Sequence, residues 1–266
     1  MTPLQTVTSR DGTAVAFARS GSGPPLVLVH GTSADHTRWK PLLPRLEPHF
    51  TVYAVDRRGR GDSGDSSTYS IEREFEDIAA VVDGIDEPAF LLGHSYGAVC
   101  SLEASLRTRN VRKLVLYEPP IRTKEPFYPQ EAVARMQAHL DSGDLDSVVA
   151  TFFREVVRAP EAEIEMLRSL PNWPNRIAAA HTILREMRIN DVYRFEPSRF
   201  AAMRVPTLLL LGGDSPGKFK DAVEAARAAL PDARVALMPG QQHTGMNTAP
   251  DLFLREVFGF LLEPSP

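Results

Sequence analysis

Gly93-His94-Ser95-Tyr96-Gly97 sets a serine between two glycines at the spacing G-x-S-x-G. A serine hydroxyl is a poor nucleophile by itself. It needs a backbone that holds it clear of its neighbours and a base that takes its proton. Glycine supplies the backbone freedom, because without a Cβ the chain can turn sharply on either side of the serine. The pattern alone is weak: with Gly and Ser each near 7% of residues, roughly one chain in ten of this length contains it by chance. Its surroundings sharpen it. The apolar run Ala89-Phe-Leu-Leu92 precedes it and helical spacing over Ala98–Arg107 follows, the strand–turn–helix setting the motif requires. There the hydroxyl stands at the end of a sheet, near a helix N-terminus that favours developing negative charge. The competing reading is a loop serine between flexible glycines.

Other residue types narrow the chemistry. The seven histidines, His30, His36, His49, His94, His139, His181 and His243, include no H-x-x-x-H or H-E-x-x-H pair, so no metal is expected. Cys100 is the only cysteine, which excludes an intrachain disulfide and a cysteine zinc site; it falls in an apolar run and reads as packing. Arg57-Arg-Gly-Arg-Gly-Asp62 suggests a phosphate loop but lacks the G-K-[ST] ending. It reads instead as a turn held by Arg–Asp pairing and glycine conformations. No cofactor is expected.

The elements that must position these residues follow a rhythm. Leu4–Ser9 and Ala14–Arg19 alternate around Asp11-Gly12, a hairpin signal. Pro25–Val29, Phe50–Val55, Ala89–Leu92 and Val111–Tyr117 are continuous apolar runs, as expected of strands buried on both faces. Helical spacing lies between them around Trp39–Leu46, Ile71–Ile85 and Ala98–Arg107. From about Pro119 to Ser198 only helical stretches appear, Glu131–Leu140, Leu145–Val157 and Asn175–Met187, broken by prolines. Alternation resumes with Pro206–Leu211, Asp221–Leu230, Arg234–Met238 and Leu252–Leu262. The fold class expected is α/β, a mostly parallel doubly wound sheet. Residues 1–118 and 199–266 form its core domain, and 119–198 form a helical cap inserted after the strand that follows the serine turn.

Composition agrees with a globular domain: 266 residues, 43% hydrophobic, 24% charged, 30 basic against 34 acidic. The formal charge of −4 and the absence of a Lys/Arg block give no sign of a nucleic-acid partner, and none is expected. The N-terminus lacks the basic and apolar regions of a secretory signal, and no apolar run approaches the ~18 residues of a membrane span. A cytoplasmic location and no membrane partner are expected; oligomeric state is not legible.

In these features the chain resembles the α/β-hydrolase superfamily over nearly its whole length. Beyond the serine turn, His30-Gly31-Thr32 follows the first parallel strand, where the family places its oxyanion loop. Asp56-Arg-Arg-Gly-Arg-Gly-Asp-Ser63 looks like the family's D-x-R-G-x-G-x-S segment. Gln242-His243 follows the last short strand, where the family places its catalytic histidine. The resemblance implies acyl transfer: Ser95 attacks, His243 carries the proton, and the backbone N–H groups of Thr32 and Tyr96 hold the oxyanion. It gives His30 and His94 loop-shaping roles.

The acid that orients His243 is left open between two positions. Asp214 follows the penultimate strand, the usual site, but reads G-G-D-S where the family has G-x-x-D. Glu118 ends the strand after the nucleophile strand, where some branches carry the acid, including several haloalkane dehalogenases and zearalenone-type lactone hydrolases. A glutamate at a buried strand end before two prolines has few structural uses, whereas Gly-Asp-Ser-Pro is a ready turn. Glu118 is therefore favoured, with Asp214 the alternative. His36 at the pocket entrance, and Trp173 and His181 in the cap, are the expected substrate contacts. The function expected is hydrolysis of an apolar carboxylic ester or lactone. Carbon–carbon hydrolysis, acyl transfer, perhydrolysis and a low-turnover small-molecule receptor are the alternatives.

Overall fold

The computed structural model describes residues 4–123 and 126–264, and eight strands run through it as one sheet. β1 (Leu4–Thr8) and β2 (Ala14–Gly21) form the antiparallel hairpin around Asp11-Gly12, and β2 pairs antiparallel with β4 (Thr51–Val55). β3 (Pro25–Val29), β5 (Ala89–His94), β6 (Val111–Tyr117), β7 (Thr207–Gly212) and β8 (Ala233–Met238) complete it in parallel. The order is β1-β2-β4-β3-β5-β6-β7-β8.

The strand sequences explain why both faces are covered. Successive side chains point to opposite faces, so each unbroken apolar run feeds two cores. Val27, Leu91, Leu114 and Leu209 join one core, while Leu26, Phe90, Val115 and Leu208 join the other. Each such side chain, fully buried, contributes about 1.5–3 kcal/mol.

Helices supply the outer layers. α1 (Leu43–Leu46) is a single turn, α2 (Ile71–Asp83) packs Phe75, Ile78 and Val82 onto the first core, and α3 (Tyr96–Ala104) follows the serine turn. Helical spacing at Trp39–Leu46 resolves into a 3₁₀ turn, His36–Trp39, and α1, because Pro41 and Pro44 lack the N–H groups a continuous helix would use.

Between β6 and β7 the described residues are helical and contain no strand. They form α4 (Gln130–Asp141), α5 (Leu145–Thr151), α6 (Glu161–Arg168), α7 (Trp173–Ala178) and α8 (Ala180–Val192). Here the structure departs from the periodicity. The single helix expected over 145–157 changes to a π-helical turn at Phe152–Val157 and stops at Arg158, whose φ is 62°. α6 was not anticipated, since Pro160 reads as a break; it stands at the N-cap, where it costs no helical hydrogen bond. α9 (Gly217–Ala229), α10 (Gly245–Thr248) and α11 (Pro250–Leu261) finish the chain, with Phe253, Val257 and Phe260 of α11 in the second core. No helix among the described residues is long and apolar enough to cross a membrane.

The arginine-rich loop after β4 is a structural hub, but not through Asp62. Arg58 pairs with Asp77 at 2.6 Å and Asp11 at 2.9 Å, and Arg57 with Glu74 at 3.3 Å. Arg57 and Arg60 also both pair with Glu186 of α8. Gly59 and Gly61 take φ of 77° and 51°, so the expected glycine conformations are present. The fully buried Glu186 thus ties the inserted helices to the sheet domain.

Candidate active site

Parallel register brings the C-terminal ends of β3, β5, β6, β7 and β8 to one edge, with neighbouring strands about 4.8 Å apart. The loops leaving that edge carry Thr32, Ser95, Glu118, Asp214 and His243. Ser95 has φ 55° and ψ −127°, a conformation L residues avoid at a cost of roughly 1–3 kcal/mol. Close packing imposes it. A Cβ on Gly97 would lie 2.4 Å from the His30 carbonyl oxygen, and one on Gly93 2.5 Å from that of Gly97. Both glycines are therefore needed for space, not for positive φ. Gly31 faces the serine itself, where a Cβ would come within 2.9 Å of the Ser95 Cβ.

His243 and Glu118 meet at 2.7 Å between Nδ1 and Oε2. Glu118 is fully buried, takes a φ of 47°, and accepts from Gly212 N–H at 2.8 Å and from the Ser215 hydroxyl through Oε1. With its carboxylate held on both oxygens, Nδ1 of His243 is the donor, and Nε2 keeps its lone pair. The ring stacks on Phe219 with centroids 4.4 Å apart. Tyr117 fixes the loop beneath it, donating to the Gln242 carbonyl and accepting from Gly245 N–H at 3.0 Å. His94 Nε2 donates to the His243 carbonyl at 2.9 Å. His30 accepts from Arg57 N–H at 3.2 Å. Burial holds both these imidazoles well below the usual histidine pKa, with neighbouring positive charge adding to it.

Asp214 is exposed, its N–H donates to the Gln241 carbonyl, and its carboxylate has no partner among the described residues. Of the two candidate acids, only Glu118 touches His243. The backbone N–H groups of Thr32 and of Tyr96, the first residue of α3, have no hydrogen-bond partner among the described residues. The Tyr96 ring turns into the core, beneath the Arg57 guanidinium at 4.8 Å.

Thr32, Ser95 and His243 line a cavity of two small lobes, which Phe152 and Val157 of the π-helical turn close from above. One lobe, about 30 Å³, also meets Arg38, Glu163 and Arg176. The other, about 20 Å³, meets Phe127, Tyr128, Lys218 and Phe219. Burial lowers the Lys218 pKa to about 8.

Three expected substrate contacts are elsewhere. His36 turns away to hydrogen-bond the buried Asp56 carboxylate at 2.9 Å, which raises its pKa. His181 is exposed on α8. Trp173 is buried inside the inserted helices, tilted against Phe153, with its indole N–H on Asp146 at 2.7 Å. It backs a cavity-lining residue without lining the cavity. Sequence reasoning in turn missed Ser215, Tyr117, Phe219, Arg38 and Arg176. Ser215 lies in the Gly-Asp-Ser-Pro turn read for Asp214 and the others stand in no motif, so only the fold brings them to the site.

Asp35, His36 and Asp56 place three possible metal-ligand atoms within 4.8 Å of one another, a grouping no sequence spacing reveals. Their valences are spent internally. Asp35 accepts from Thr37 N–H and Asn175, Asp56 from His36 and Asp62 N–H, and the His36 nitrogen is itself a donor to Asp56. The set fits a loop clamp and not a cation site.

The chain is similar to known proteins over most of its length. A solved α/β hydrolase from Sphaerobacter thermophilus is 38% identical with a TM-score of 0.82, covering 96% of this chain and 99% of that one. The 2-(acetamidomethylene)succinate hydrolase of Mesorhizobium japonicum is 26% identical over 258 residues, 91% of this chain and 89% of that protein. A putative carbamate hydrolase of Azorhizobium caulinodans is 27% identical over 253 residues, 90% of this chain and 92% of its own. The profile of the alpha/beta hydrolase family matches residues 26–256, and with the doubly wound sheet and the serine turn already described, the chain belongs to that family.

Proposed function

We propose that the protein hydrolyses a carboxylic ester or lactone through an acyl-enzyme on Ser95. The observation that carries this reading is the 2.7 Å contact between His243 Nδ1 and the buried Glu118 carboxylate, with His243 lining the same cavity as a conformationally strained serine. His243 Nε2 takes the hydroxyl proton as Ser95 Oγ bonds to the acyl carbon. The carbonyl π electrons move to oxygen, facing the free N–H groups of Thr32 and Tyr96. When the carbonyl re-forms, the bond to the leaving oxygen breaks and His243 returns the proton to it. Water then repeats the sequence, its proton going to His243, and releases the acid with Ser95 restored. Glu118 holds the ring in this tautomer and stabilises the imidazolium. Residues 119–198 act as a cap that sets specificity from above.

A second reading, cleavage of an amide or carbamate by the same steps, is favoured by the likeness to the 2-(acetamidomethylene)succinate hydrolase of Mesorhizobium and the putative carbamate hydrolase of Azorhizobium. A fluorophosphonate probe, followed by peptide mapping, tests the shared mechanism, with the adduct expected on Ser95 and absent from Ser95→Ala. An adduct elsewhere, or near-normal turnover by Ser95→Ala, overturns it. A panel of graded p-nitrophenyl esters, lactones and N-acyl amides then separates the two readings.

A further inference from the structure

Two arginines line the lobe beside Ser95, and neither has a carboxylate partner. Arg176, on α7, is only 5% exposed. Its Nη1 donates to the Ser33 carbonyl at 2.5 Å and lies 3.3 Å from the Ser33 hydroxyl, while its Nε is buried without any partner. Arg38, in the 3₁₀ turn after β3, makes no side-chain hydrogen bond or ion pair among the described residues, and its Nε too is buried and unpartnered. Glu163 is the only carboxylate on this lobe, and it forms an ion pair with neither. The buried arginines Arg57, Arg58 and Arg60 contrast with them, since all three pair with carboxylates.

Bringing two like charges to one wall with no carboxylate within ion-pair distance of either is costly, and Glu163 and Asp35 offset it only from further away. Arg176 recovers part of that cost through Ser33 and by lying over the Phe153 ring at 5.3 Å, but the Arg38 side chain holds nothing among the described residues. Both guanidinium pKa values are pushed down, to about 9 for Arg38 and about 10 for Arg176, chiefly by burial, with Arg176 itself depressing Arg38. The missing counter-ion belongs to whatever enters the lobe. A guanidinium fork matches a planar carboxylate. The opposite lobe is walled by Phe127, Tyr128 and Phe219, so the two sides of the serine differ in character.

We propose that Arg38 and Arg176 together hold a carboxylate of the substrate, so that the chain selects acyl compounds bearing a free carboxylate close to the scissile carbonyl. The proposal rests on the hydrolase reading above and narrows its substrate class to half-esters or half-amides of short dicarboxylic acids. It differs from the apolar ester or lactone expected from the sequence in giving the substrate a charged end.

The test compares methyl hydrogen glutarate with dimethyl glutarate, following hydrolysis by proton release. Wild type should prefer the half-ester by at least about tenfold in kcat/KM, the factor a charge-assisted hydrogen bond supplies. Arg38→Gln should remove most of that preference, mainly by raising KM for the half-ester. Its Tm should not fall, because the side chain has no protein partner to lose. Arg176→Gln should show the same loss of preference with a lower Tm, since its bond to Ser33 goes as well. Equal use of both esters by wild type, or a preference that survives Arg38→Gln, overturns the proposal. Calorimetry with glutarate on Ser95→Ala reads the site without chemistry. Binding lost in the Ser95→Ala, Arg38→Gln double variant supports the proposal even if no ester is turned over, in which case only the hydrolase reading fails. Absence of glutarate binding to Ser95→Ala overturns it.

Discussion

Glu118 combines complete burial, a positive φ and hydrogen bonds on both carboxylate oxygens, one of them to the histidine. A side chain present only to end a strand needs none of these. Glu118→Gln should therefore lower kcat by about 10⁴, the cost of losing the acid in the best-studied triad, whereas Asp214→Asn should change it less than about threefold. Both are read by steady-state kinetics at matched folded fraction, and the reverse order would make Asp214 the orienting acid. The sequence carried a hint of this, in a glutamate stranded between an apolar strand and two prolines. It carried no hint of Ser215 or Tyr117, which hold Glu118 and the histidine loop through contacts set by strand register. Arg38 and Arg176 were equally illegible. Each reads as a surface arginine on an unremarkable segment until β3 and α7 are brought to the same wall.

The strands were legible because burial on both faces leaves no alternation to misread, and β3 and β6 lie where the apolar runs place them. The inserted helices were less so. Periodicity near 3.6 does not distinguish an α-helix from its π-helical extension, and it is this extension that puts Phe152 and Val157 over the serine. A prediction separates the two kinds of aromatic in this region. Trp173→Phe loses the indole bond to Asp146 and should cost about 1 kcal/mol of stability by urea denaturation, with the order of preference across the ester panel kept. Phe152→Ala should reorder that panel, favouring bulkier acyl groups. Trp173→Phe reordering the panel would restore it as a substrate contact.

Across the whole molecule, two fully or nearly buried histidines make acid stability a property of the site region. His30 and His94 have native pKa values well below 6.5, while in the unfolded chain they titrate near it. Above pH 6.5 both states are neutral and the term vanishes. Below it the unfolded state binds protons the native state refuses, so stability falls by about 1.4 kcal/mol per pH unit per histidine. His36, raised by Asp56, acts in the other direction, its contribution being complete below pH 6.5 and lost at higher pH. Urea midpoints should therefore drop steeply between pH 6.5 and 5 in wild type, and about half as steeply in His30→Gln; a slope unaltered in the variant would remove His30 from the account.

The anchoring of the inserted helices also says how traffic reaches the serine. α8 is fastened to the sheet domain by Glu186 on Arg57 and Arg60 and by Arg185 on Asp65 at 2.7 Å. α7 is fastened by Asn175 on Asp35 and Arg176 on Ser33. From Phe152 to Arg168 the side-chain ion pairs run only to other inserted helices, Arg154 to Glu161, Arg135 to Glu155 and Arg168 to Asp146. Swinging the whole insertion outward would strip the buried Glu186 of its partners, a cost of several kcal/mol. Raising the π-helical turn with α6 breaks only the solvent-accessible pairs Arg135–Glu155 and Arg168–Asp146, which are worth little each. Ligand exchange is then expected through a local hatch two helical segments wide, with its opening rather than a domain swing setting how fast a ligand leaves. Amide hydrogen exchange should show it directly, with Phe152–Arg168 exchanging well before Ala180–Val192; comparable protection in the two segments would mean that the insertion moves as one body.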